Sequence, residues 1–70
     1  MMRFECRVVN CDREGYYYPR WDKATPVTVD AATRQDAINH AVAVMGKCRR
    51  GWYWGVRVIS VGPIPSGGAA

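Results

Sequence analysis

The chain has 70 residues, 10 Lys+Arg against 6 Asp+Glu, a formal net charge of +4 and 49% hydrophobic residues. This is one small domain, too short for a dinucleotide-binding fold or a barrel and too apolar for a disordered chain. No apolar run approaches the ~18–20 residues of a spanning helix, and Met1–Glu5 has no apolar segment before its next charges, so the expectation is a cytoplasmic protein without membrane association.

From Met2 to Val9 the residues alternate, with Phe4, Cys6 and Val8 on one side and Arg3, Glu5 and Arg7 on the other. That period of two predicts a half-buried strand. Residues 10–24 are rich in Asp, Gly, Pro and aromatics and have no clean period. They predict a long ordered loop, with a short extra strand at Tyr16–Tyr18. Pro26–Val29 is short and β-branched and predicts a second strand, with Val27 and Val29 facing one way.

Residues 30–46 carry the clearest signal, a helix. Thr33 suits the N-cap, and Asp36 three positions on resembles a capping box. Ile38, Ala41, Val42 and Met45 recur at the helical period as the buried stripe, widened by Ala37 and Val44. Gly46 suits the left-handed position after the helix. Trp52–Val61 predicts the last strand, ended by Pro63 and Pro65; Trp54, Val56 and Val58 alternate with Tyr53, Gly55, Arg57, Ile59 and Val61, and apolar groups on both faces leave the inward one open. Residues 66–70 read as a flexible tail.

The order β-β-α-β constrains the topology. A right-handed crossover joins the second and third strands in parallel and leaves room for the first between them, antiparallel to both. The predicted architecture is an α+β domain over residues 1–65, with a three-stranded sheet in the order 2-1-3 and one helix across one face.

The three cysteines, Cys6, Cys11 and Cys48, are odd in number and expected to be free in a reducing cytoplasm. With His40 they are chemically sufficient for zinc, but their spacing is not that of a zinc site, so no metal is expected. A Cys48 thiolate beside Lys47, Arg49 and Arg50 is a candidate for a lowered pKa. One histidine and no carboxylate pair, nucleophile triad or phosphate loop argue against an enzyme, and no cofactor is implied. A domain this small gains from a partner chain, and a two-fold homodimer is the commonest form.

The remaining features point to binding. Tyr16, Tyr17, Tyr18 and Trp21 lie near basic residues of the long loop, and Trp52 and Tyr53 follow Arg49 and Arg50. Tyr, Trp and Arg are the residues enriched at interface hot spots, so these eight form the candidate partner-binding set. Trp54 and one loop tyrosine are expected to close the core. The alternative is nucleic acid held on the uncovered sheet face by Arg3, Arg7 and Arg57, with Glu5 opposing phosphate there.

The stretches Thr25–Ala41, TPVTVDAATRQDAINHA, and Trp54–Ile64, WGVRVISVGPI, resemble a pattern of small accessory proteins of actinobacterial phages. In these a V-T-V-x-A strand leads through Thr or Ser into a helix containing A-I/V-x-x-A and then a closing strand. The resemblance covers a little over half of the chain. It implies a non-virion protein of the infected host cytoplasm that binds a host component, and it assigns no site residues.

Overall fold

The computed structural model describes residues 1–65; the tail expected at 66–70 lies outside the described residues. Three strands, β1 (Met2–Asp12), β2 (Thr25–Ala31) and β3 (Trp52–Pro63), form one antiparallel sheet in the order β2-β1-β3. The helix α1 (Arg34–Met45) packs on one face. This is the α+β architecture and strand order read from the sequence.

The core follows from the period of β1. Phe4, Cys6 and Val8 face α1 and are buried with Val27, Val29 and Ala31 of β2 and Ala37 and Ala41 of the helix. The two helix alanines are fully covered, which lets the helix backbone approach the sheet closely. Met45, Trp54, Val56 and Val58 close the edges, each half-buried. Burial also raises the pKa of the Cys6 thiol, so it stays an apolar core group.

Five features of the elements differ from expectation. The first strand continues through Asp12, pairing Cys11 with Tyr53 and Asp12 with Trp52, instead of yielding to a loop at Asn10. The apolar pattern changes phase there: beyond Val8 the buried residues are Val9 and Cys11, on the opposite face. The segment Tyr16–Tyr18 is not a strand. The Asp12 carboxylate holds it as a tight loop by accepting from the backbone N–H of Glu14, Tyr16 and Tyr17 at 3.0–3.2 Å. Gly15, at φ 72°, provides the reversal. A single 3-10 turn, Trp21–Lys23, follows where no element was expected. The helix begins at Arg34 rather than Asp30, because Asp30 belongs to β2. Thr33 is its N-cap and accepts from Asp36 N at 3.1 Å. Gly46 follows at φ 85°. β3 runs on through Pro63, which still pairs with Met2.

Two side-chain expectations are also corrected. Val44 is 66% exposed and does not widen the buried stripe, since it lies in the last turn of a helix whose covered face centres on Ala37 and Ala41. No loop tyrosine closes the core: Tyr16, Tyr17 and Tyr18 are 80%, 59% and 93% exposed, because the Asp12-centred loop turns them outward.

On the uncovered face, Arg3 donates to both carboxylate oxygens of Asp30, at 2.9 and 3.2 Å. These hydrogen bonds hold Asp30 below its usual pKa, opposed by desolvation and helped least by the charge of Arg3. The sign is that of a depressed acid: the pair stabilises the fold above the unfolded-state pKa and loses this as pH falls through the folded one. Thermal midpoints measured on acidification below about pH 4 should therefore fall more for the wild-type chain than for Asp30→Asn. The exposed Arg20–Asp22 pair depresses Asp22 in the same direction, so Asp22→Asn is the matched comparison.

Candidate functional site

β2 covers β1 only from Met2 to Val8. Beyond that point β1 and β3 project as a two-stranded ribbon, crossed by the loop that follows Asp12. The free side of this ribbon is where the aromatic residues gather. An open cleft of about 430 Å³ lies there, lined by Val9, Asn10, Tyr17, Tyr18, Arg20 and Trp52. Its walls are mostly apolar, and its charged rim is Arg20, which pairs with Asp22 at 3.3 Å.

The aromatic wall is ordered by ring contacts. Tyr17 stacks on Trp52 with centroids 5.9 Å apart and planes 22° from parallel. Tyr16 meets Tyr17 edge-on at 4.9 Å. The Arg49 guanidinium lies 5.5 Å from the Trp52 ring centroid. Trp52 is set by the turn before β3, where its N–H donates to Arg49 O at 3.1 Å and Gly51 adopts φ 85°. Tyr17 is set by the Asp12 carboxylate. Two separate backbone devices therefore bring together rings far apart in the sequence.

Of the expected partner-binding set, Tyr16, Tyr17, Tyr18, Trp52 and Arg49 converge at this cleft. Arg50 is exposed in the turn beside it. Tyr53 and Trp21 are on the other face of the ribbon. Tyr53 alternates with Trp52 along the strand, and Arg13 sits 5.7 Å from its ring. Trp21 lies across β3, its ring within 3.6 Å of where a Cβ on Gly55 would be, with the Arg57 guanidinium 4.0 Å from its centroid. Under it Val9 and Cys11 are buried, a second small apolar cluster separate from the main core. The sequence reading missed the cleft's Val9, Asn10 and Arg20, and the organising Asp12. The signal for Asp12 was present as Asp12-Arg13-Glu14-Gly15, the composition of a side-chain-capped turn.

The arginines proposed for nucleic acid are distributed unevenly. Arg3 is committed to Asp30, and Arg57 lies on Trp21. Arg7 sits between Pro26 and Arg57 in the sheet register and is exposed. Glu5, beside them, accepts from Ser60 Oγ at 2.7 Å.

Cys48 is half-buried next to the cleft, its thiol donating to Asn10 Oδ1 at 3.2 Å. Its pKa is raised, first by desolvation and in a lesser degree by Cys11, with Arg13 opposing. The lowered pKa expected from its basic sequence neighbours is thus corrected: Lys47, Arg49 and Arg50 are exposed, and the polar partner the thiol meets is an amide oxygen. Among the described residues no group of three His, Cys, Asp or Glu side chains is placed to hold a metal. Nor is any helix among them long and apolar enough to cross a membrane.

Comparison of the chain with protein-family models, with curated proteins and with solved structures gives no match.

Proposed function

We propose that the protein is a non-enzymatic binding module that holds an extended segment of another protein at its aromatic cleft. The observation that carries this reading is the stacked Tyr17–Trp52 pair forming one wall of an open apolar cleft. Exposed rings already held in place lose little entropy on binding, which suits them as anchors. The cleft takes one apolar or aromatic side chain. Arg49 and Arg50 beside it favour acidic flanking residues, since the Asp12 and Asp22 carboxylates are engaged within the chain. The resemblance to phage accessory proteins suggests a host protein in the infected cytoplasm as the partner.

Selection of displayed random peptides on the immobilised protein tests this, followed by calorimetry of the recovered peptides. The expected peptides carry an aromatic or large apolar residue beside acidic ones. Tyr17→Ala should weaken them by about 30-fold, the effect of a roughly 2 kcal/mol hot spot, while the thermal midpoint stays near that of wild type because Tyr17 is exposed. Binders indifferent to both Tyr17→Ala and Trp52→Ala would reject the cleft. Tight binding of a labelled single-stranded oligonucleotide, falling steeply with salt and lost in the Arg3, Arg7 and Arg57 alanine variant, would favour the nucleic-acid reading instead.

A further inference from the structure

The sheet has two edges, and they are treated differently. β2 spans Thr25–Ala31 and contains Pro26 and Asp30, both of which blunt an edge strand. β3 spans Trp52–Pro63, has Arg57 as its only charged residue, and meets its first proline at its last position. It is the longest strand of the sheet, its register with β1 is broken by one bulge at Ile59, and among the described residues its outer side has no partner strand.

Which backbone groups face outward follows from one hydrogen bond. Arg13 N donates to Gly51 O at 3.0 Å, which continues the register that pairs Cys11 with Tyr53, Val9 with Gly55 and Arg7 with Arg57. Antiparallel ladders alternate, so these odd-numbered residues of β3 bond inward to β1. The N–H and C=O groups of Trp54, Val56 and Val58 therefore point away from the sheet. The Trp52 N–H does too, and it is taken by Arg49 O. The side chains beside these groups are apolar and incompletely covered: Trp54, Val56 and Val58 are half-buried, and Tyr53 and Ile59 are exposed.

We propose that β3 pairs antiparallel with β3 of a second copy, about a two-fold axis at Val56, joining the two three-stranded sheets into one. A strand paired with itself in this way makes a closed, self-complementary interface. This register avoids a direct arginine pair. With the axis at Val56, the single charge of each strand, Arg57, lies opposite Gly55 of the other copy rather than opposite another arginine. Trp54 then lies opposite Val58 on the helix-bearing face, and exposed Tyr53 opposite exposed Ile59 on the other. The pairing uses the far edge of β3 and none of the peptide-binding argument, so either can fail without the other.

Sedimentation of the whole chain across a concentration series, with amide hydrogen exchange on the same samples, tests the proposal. The expected result is a mass approaching twice the 7.9 kDa of one chain. The amides of Trp54, Val56 and Val58 should become at least about 10-fold more protected as the dimer fills, since they are then paired. Val58→Pro removes an outward N–H and no bond to β1, so it should remain folded by circular dichroism and weaken dimerisation at least about 10-fold. Ile59→Lys, at an exposed position, serves the same purpose if the proline variant does not fold. A single-chain mass at every concentration overturns the proposal. So do fast exchange of the three amides in a dimer and self-association unchanged by both variants.

Discussion

Trp21→Ala is expected to destabilise the domain by about 2–3 kcal/mol, somewhat below the range for removing a fully buried aromatic, because the ring is only half-buried. The residue was expected at a partner interface. Its surroundings give it another task. It roofs the ribbon where β1 and β3 extend beyond β2, covering Cys11 and the surface at Gly55, and Arg57 stacks over it at 4.0 Å. Loss of the ring wets the second apolar cluster of Val9 and Cys11 and leaves the Arg57 stem without its platform. Domains of this size are stable by only about 0.05–0.15 kcal/mol per residue, so the loss is a large fraction of the total. Urea unfolding of the two proteins measures it. An unchanged midpoint would return Trp21 to the partner-binding set.

Gly55→Ala should cost about 1–3 kcal/mol, the range for overpacking a filled site. The added Cβ would lie 2.6 Å from Cys11 Sγ and 3.6 Å from two atoms of the Trp21 ring. Cys11 is buried, so its sulfur has little room to move. The clash is with one atom, and that makes the prediction selective. In a Cys11→Ala background the same Gly55→Ala change should cost much less, because the sulfur it meets is gone. A double-mutant cycle by urea unfolding reads this coupling directly. Additive costs would show that glycine is needed at 55 for a reason other than space.

The elements of the core were legible because each wrote its period without interruption. Phe4, Cys6 and Val8 gave the central strand, Val27 and Val29 the edge, and Thr33 with Ala37, Ile38 and Ala41 the helix and its start. Handedness then left one strand order. The ribbon was not legible for a physical reason. At Val8–Val9 the buried side of β1 changes face, from the helix to Trp21, so the alternation that signals a strand breaks while the strand itself continues. A reading by period ends the element there and assigns the remainder to a loop. The candidate site was legible as composition and not as geometry. Tyr16, Tyr17, Tyr18 and Trp52 were named by residue type, and Tyr53 and Trp21 with them. Neighbours in a strand point to opposite faces, which separates Tyr53 from Trp52. The cleft itself depends on Asp12 binding three backbone N–H groups, a local polar interaction that no hydrophobic pattern reports.

The central position of the first strand also governs when the molecule can fold. Met2 is paired with Pro63 and Asp12 with Trp52, so one whole side of β1 waits for β3 to be made. Closing that ladder brings together stretches separated by most of the chain, which places the domain among the slower folders of its size, nearer milliseconds to seconds than microseconds. On the ribosome, where about 5–20 residues are added each second, β1 and β2 emerge seconds before β3 and can only form a provisional pair. In that interval one edge of β1 is bare and Phe4, Cys6 and Val8 lack part of their cover. The interval before β3 docks is when this protein is most exposed to aggregation, and raising the rate of synthesis relative to folding should lower its soluble yield before it lowers its stability.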